Sequence, residues 1–262
     1  MTQLLQNKNA IIYGAGGSIG RGVATTFARE GARLFLVGRT RAALDATAHD
    51  VAEAGGEAHV ATVDVFDEAA VEAHVEDVVG RVGHVDVSFN LVTRGDVQGQ
   101  PLLDMSVADL TRPVTNGLVA NATTARAAAR RMVGQGSGVI LHLTSGSSAG
   151  LAPMMGGTGP ADAATETYMR YLASEVGPRG VRVVGLWTAG VAETLTRAKM
   201  AEVGGDSVPD PEIVLQMIAN AAVLRRTPHL DEVADTAAFL ASDRAKGITA
   251  TIVNVTSGLV VR

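Results

Sequence analysis

The chain of 262 residues has no cysteine, which excludes disulfides and thiolate metal sites. Aromatic residues are only 3% of it, a scarcity that suits helices packed closely on a sheet better than an aromatic-rich β-sandwich. No block of basic residues exists, and the net charge is −5 with a pI near 5.7. Nucleic acid and anionic membrane are therefore not expected partners. No apolar run approaches the ~20 residues a membrane-crossing helix needs. The opening "MTQLLQNKNAIIYG" lacks a charged head followed by a long apolar run, so it does not read as a signal peptide. No histidine–carboxylate cluster has metal-ligand spacing, so no metal is expected. The plain expectation is a soluble cytoplasmic protein with a small-molecule substrate.

What is present is alternation. Short β-branched runs ("NAIIYG", "ARLFLVG", "EAHVATVDV", "VDVSFN", "GVILHLTS", "VRVVGLW", "TIVNV") read as strands. Between them, residues 18–30, 41–54, 68–82, 161–176 and 230–240 read as helices. A further helical region opens at Ser106, with Asp109 as a weak capping partner, is interrupted at Pro113 and continues over 118–132. This alternation predicts a single α/β domain of Rossmann type over residues 1–262, with a doubly wound parallel sheet of about seven strands and helices on both faces. The least regular stretch, 188–211, follows a strand end, where open α/β sheets hold their ligands. It is either a substrate lid or a surface loop.

"YGAGGSIGRG" lies between the first strand and the first helix. Its glycines allow a tight turn, and Gly14 through Ser18, Ile19 and Gly20 would cradle a pyrophosphate at the helix N-terminus. At the end of the second strand, Gly38 stands where an acidic residue would hold NAD ribose. Arg39 and Thr40 follow. An arginine there matches a 2′-phosphate, so the expected cofactor is NADP(H); Arg41 reads as a solvated helix-start residue.

With these motifs the chain resembles the short-chain dehydrogenase/reductase family over nearly its whole length. The glycine turn matches the pattern T-G-x-x-x-G-x-G, with Tyr13 for the threonine and Ser18 for the middle glycine. "LASEVGPRGVRVV" and "LRRTPHLDEVADTAAFLASDRAKGITATIVNVTSG" match the later part almost throughout. The resemblance implies Asp64 and Val65 beside the adenine, a cofactor contact at Thr194, and Asn90 as the one survivor of N-N-A-G. It also implies a homo-oligomer, a tetramer or a dimer.

The same resemblance exposes a departure. The family's catalytic serine falls on Ser145, but its tyrosine falls on Thr158 and its lysine on Asp162. The family's asparagine falls on Gly117. Lys8, Lys199 and Lys246 are the only lysines, all far along the chain from this helix. Positions 158 and 162 share a helix face. In the family the lysine lowers the tyrosine's pKa and the phenol moves a proton; a threonine hydroxyl is not acidic near neutral pH, and a carboxylate beside it acts in the opposite sense. Three functions compete: an oxidoreductase with a reduced need for proton transfer, a non-catalytic nucleotide-binding or sensing protein, or a non-redox cyclase or dehydratase using Ser145 and Asp162. Asp162 reads either as an acid or base made by burial or as a carboxylate held by the helix dipole. His142, inside a strand, reads as a packed core residue, and His84 and His229 as solvated turn residues.

Overall fold

The computed structural model describes residues 3–150, 152–205 and 208–261. Seven parallel strands form one sheet: β1 (Asn9–Tyr13), β2 (Arg33–Gly38), β3 (Glu57–Thr62), β4 (Val87–Asn90), β5 (Gly138–Thr144), β6 (Val181–Trp187) and β7 (Thr251–Asn254). Their order is β3-β2-β1-β4-β5-β6-β7. The order reverses at β1, so the carboxyl ends of β1 and β4 open a crevice. β1 is buried at all five positions, as expected for a strand covered on both faces.

Among the described residues eight α-helices surround the sheet: α1 (Ser18–Arg29), α2 (Arg41–Glu53), α3 (Glu68–Val82), α4 (Val107–Gln135), α5 (Thr158–Val176), α6 (Arg197–Gly204), α7 (Pro211–Ala221) and α8 (Leu230–Ala241). Two apolar layers result. Ile12, Leu34, Leu36 and Leu141 face α1 and α8 through Val23, Phe27, Ala237 and Leu240. Ile11, Phe35, Val37 and Ile140 face α3, α4 and α5 through Val71, Ala128 and Met169. Small side chains dominate both layers and let the helices lie close to the sheet.

The structure corrects three readings. α4 runs unbroken through Pro113, from a cap in which Ser106 accepts the Asp109 N–H at 3.0 Å. Proline removes one helical hydrogen bond but does not end this helix. Here α4 is held against the approach to α5: a Cβ on Gly157 would lie 2.2 Å from the Leu110 carbonyl oxygen and 2.7 Å from Pro113. Packing outweighs the local penalty. Within 188–211 the chain forms a 3₁₀ turn over Ala192–Thr194 and then α6, so the stretch is more ordered than its prolines and glycines suggest; residues 206 and 207 lie outside the described residues. α7 was not expected. Its start is nonetheless written locally: Asp210 caps it by accepting the Glu212 N–H, and Pro211 is the first helical residue. No described helix is long and apolar enough to cross a membrane.

Candidate active site

The glycine turn is built by close approach. Gly14 has φ +77°, and a Cβ there would lie 2.7 Å from the Leu91 carbonyl. A Cβ on Gly20 would lie 2.3 Å from the Gly14 oxygen. Only glycine fits either place, for backbone reasons alone. Gly17 differs: it is the N-cap of α1, a Cβ there would meet only the Gly14 oxygen, at 3.4 Å, and it offers no side-chain cap. No acidic residue stands in the first turn of α1. The first-turn N–H groups at Ser18, Ile19 and Gly20 are thus without a side-chain cap, as an anion site requires.

A cleft opens beside this turn. Its walls are Gly14, Gly16 and Gly17; Gly38, Arg39 and Thr40; Asp64, Val65 and Phe66; and the segment from Leu91 to Thr93. It brings together Gly14, Arg39, Thr40, Asp64 and Val65 from three different strand ends. Arg39 is exposed and makes no ion pair among the described residues, whereas Arg41 pairs with Asp45 at 2.8 Å. Asp64 is exposed and accepts the Phe66 N–H at 3.1 Å, which turns the chain along the cleft. Asn90 lies beneath the wall: it is buried, and its Oδ1 accepts the Val92 N–H at 3.1 Å. Thr194 is not part of the wall; it sits in the 3₁₀ turn beyond β6 and donates to the Val191 oxygen at 3.0 Å. At the carboxyl end of β6, Thr188 Oγ1 is buried with no hydrogen-bond partner, an atom that a bound polar group would satisfy. These features fit a phosphate-bearing dinucleotide.

The second half of the site is the start of α5. Asp162 is completely buried, and both its oxygens are taken. Oδ1 accepts Arg94 Nη1 at 2.7 Å. Oδ2 accepts the Ser145 hydroxyl at 2.7 Å and the backbone N–H groups of Ser145 and Ser147 at 3.1 and 3.0 Å. The carboxylate is therefore a hub for the loop after β5, and the Ser145 hydroxyl is turned toward it. Thr158 is also buried: its hydroxyl donates to Asp96 Oδ1 at 2.8 Å and accepts from Gln98 Nε2 at 3.1 Å. Arg94 Nε faces both Asp96 oxygens at 3.1 and 3.2 Å. Burial opposes the charge on Arg94, but Asp162 and Asp96 outweigh it and raise its pKa. The structure thus brings Ser145, Thr158 and Asp162 together, around a guanidinium.

Arg94, Asp96 and Gln98 are the residues sequence reasoning missed. They lie in "TRGDVQGQ", where charges in a connecting segment read as solvated. One signal was available: Gly117, at the position of the family's asparagine. A Cβ on Gly117 would lie 3.1 Å from Arg94 Cδ, tighter than most real contacts, so the glycine makes room for the arginine. The departures at 117, 158 and 162 all border this one side chain.

One turn further along α5, Glu166 is buried and bound by Thr144 Oγ1 at 3.0 Å, Ser148 Oγ at 2.8 Å and Trp187 Nε1 at 2.7 Å. Two α5 carboxylates thereby clamp the loop after β5. His142 is a core residue as its strand position predicts; burial lowers its pKa to about 4 and neither ring nitrogen has a partner. His84 and His229 are exposed, as expected of turn residues, and each also has a carboxylate partner. His84 lies 3.2 Å from Asp86; His229, at the N-cap of α8, donates its N–H to Glu232 at 2.9 Å and pairs with Glu193 at 2.8 Å. No group of histidine and carboxylate side chains among the described residues is arranged to hold a metal ion.

A parallel seven-stranded sheet with a glycine turn after its first strand defines a Rossmann-type protein. The comparisons make this specific. The family described as Enoyl-(Acyl carrier protein) reductase matches residues 14–260. The 7alpha-hydroxysteroid dehydrogenase of Escherichia coli K12 is 28% identical over 254 residues, covering 97% of this chain and 94% of its own. The short-chain reductase protein NovJ of Streptomyces niveus is 30% identical, covering 97% and 94%. The crystal structure of NAD+-bound xylitol dehydrogenase aligns with a TM-score of 0.86 at 26% identity, covering 97% of this chain and 99% of that one. The chain belongs to the short-chain dehydrogenase/reductase family, an oxidoreductase family that uses nicotinamide cofactors.

Proposed function

We propose that the protein is an NADP(H)-dependent oxidoreductase of this family with a non-standard reaction site, acting on a small molecule whose reduction needs little proton transfer from the protein. The observation that carries the cofactor preference is Arg39: exposed, without an ion pair among the described residues, and set between Gly38 and Thr40 in the cleft wall. Phosphate is the natural partner for such a guanidinium. In this reading the α1 N-terminus holds the pyrophosphate, Arg39 and Thr40 the 2′-phosphate, and Asp64 and Val65 the adenine end. Asn90 fixes the wall, and Thr188 and Thr194 lie at the far end. The nicotinamide supplies the hydride when bound. That the xylitol dehydrogenase structure holds NAD+ does not argue against this, because the preference is set by a few residues at the end of β2.

The chain's own groups at α5 do not offer a proton readily. The hydroxyls of Ser145 and Thr158 each donate to a carboxylate, and Asp162 has no exposed surface. Without a general acid, a simple ketone loses about 10²–10⁴ in rate. A quinone-like ring, a conjugated alkene or an iminium loses less. The closure of this network also favours a second reading, a nucleotide-binding protein without turnover. Calorimetric titration with NADPH and NADH, followed by NADPH consumption on a panel of ketones, quinones, enones and iminium ions, separates the readings. Tighter NADH binding ends the cofactor proposal. Tight NADPH binding with no turnover on any acceptor selects the second reading, and family-typical ketone reduction would show that another group supplies the proton. The lid over 188–211 and a homo-oligomer, with Val119 of α4 and Tyr171 of α5 exposed, belong to the same proposal.

A further inference from the structure

Thr93 belongs to the wall of the cleft. The next residues, 94–99, cross the first turn of α5 and are tied down on three sides. To α5 and its approach they are held by Arg94 on Asp162, by Asp96 and Gln98 on the Thr158 hydroxyl, and by the Gly99 N–H on the Met154 oxygen at 2.9 Å. On the side of α6 the Gln98 N–H donates to the Val203 oxygen at 2.8 Å. On the side of α4, Asn116 Nδ2 donates to the Arg94 oxygen at 3.0 Å. The seat is close: a Cβ on Gly156 would lie 2.2 Å from the Val97 oxygen. Thr158, beneath the segment, is only 3% exposed.

We propose that residues 94–99 form a gate over the reaction site, latched by the Arg94–Asp162 ion pair, and that the ligand which opens it is a small organic cation. Lifting the segment withdraws Arg94, the one described side chain that pairs ionically with Asp162. Asp162 would then stay behind as a fully buried carboxylate without a counter-charge, an arrangement proteins do not tolerate cheaply. An entering ammonium or iminium replaces the guanidinium. A neutral ligand leaves the charge unpaired, and an anion worsens it. Because Gln98 touches both α5 and α6, the gate and α6 open together. An iminium, unlike an ammonium, is also a hydride acceptor that asks no proton of the protein, and only this last link rests on the proposed function.

Residue-resolved amide exchange of the full chain in the presence of NADP+ tests the gate without any turnover. The Gln98 and Gly99 amides should be protected. Arg94→Met should speed their exchange at least tenfold more than it speeds that of the β1 and β5 amides, which report the global loss of stability. Gln98→Ala, which removes only the side-chain tie to Thr158, should speed it about threefold and covers the case in which Arg94→Met does not fold. Protonated 2-methyl-1-pyrroline should deprotect both amides in the native chain; cyclopentanone and cyclopentanecarboxylate should not. Unprotected Gln98 and Gly99 amides in the native chain overturn the gate, as does a latch variant that folds without changing them. An equal response to the neutral or anionic probe overturns the cation. Failure of every acceptor in a turnover assay would count against the oxidoreductase reading and leave these exchange results standing.

Discussion

The cleft beside α1 and the network at the start of α5 lie on the same edge of one sheet, yet they treat polar groups in opposite ways. In the cleft, donors are left over: Arg39 without an ion pair and the first turn of α1 without a side-chain cap. At α5, donors are used up: Asp162 accepts from four groups, and the hydroxyls of Ser145 and Thr158 are both engaged. An unpaired donor is tolerable where water or a ligand completes it; a saturated hub needs no ligand and resists one. The first region therefore looks prepared for an anion. The second has to be opened before anything else can enter.

The largest effect should come from splitting the buried pair. Arg94→Met leaves Asp162 buried without its cation, at a cost of about 3–5 kcal/mol. Urea unfolding measures it, and adding Asp162→Leu to Arg94→Met should recover most of the loss. A loss below about 1 kcal/mol for the single variant would mean that the two regions are not so different after all.

The next effect concerns β5, which joins the regions: His142 is in register with Asn90 on one side and Gly185 on the other. Burial lowers its pKa from 6.5 to about 4, so the unfolded chain takes up a proton first as the pH falls. Stability from this group is complete above the unfolded value and is lost between about pH 6.5 and 4, by about 3 kcal/mol at about 1.4 kcal/mol per pH unit. His142→Leu should flatten that part of the stability profile, and an unchanged slope would show that the ring finds a partner when charged.

In the cleft, Arg39→Ala should weaken NADP(H) binding by about tenfold to a hundredfold, the ~1.5–3 kcal/mol of a hydrogen bond to a charged group, with NAD(H) binding unaltered. The same variant should leave the unfolding free energy within about 0.5 kcal/mol, since an exposed unpaired side chain holds nothing in place. Calorimetry and urea titration on one preparation check both halves. The smallest effect serves as a control from neither region. Ser106→Ala removes the cap of α4 and should cost about 1 kcal/mol without changing nucleotide affinity; a change in affinity would mean that α4 transmits strain to the cleft.

The cleft was legible because its determinants are local. Gly14 and Gly20 mark a turn that only glycine can make, and Arg39 follows directly on the strand that presents it. The network was half legible. Ser145, Thr158 and Asp162 could be singled out through the resemblance to the family, but their partner could not. Pro113 and α7 show the same limit. A proline in mid-helix and a proline-flanked segment read as breaks until packing, or a cap and a first-turn proline, is taken into account.

What the sequence determined by itself is the series of strands with most of its helices, the parallel sheet and the glycine turn. Strand alternation, helix periodicity and turn sterics act within a few residues and survive in any one-dimensional reading. What only the tertiary structure decided is the meaning of Asp162. Its counter-charge, Arg94, is 68 residues away along the chain. The two meet because the sheet places β4 beside β5, so that the segments leaving their carboxyl ends converge, and because Gly117 leaves room for the arginine. A buried charge is defined by what surrounds it in space, and that neighbourhood exists only after the strands have been ordered.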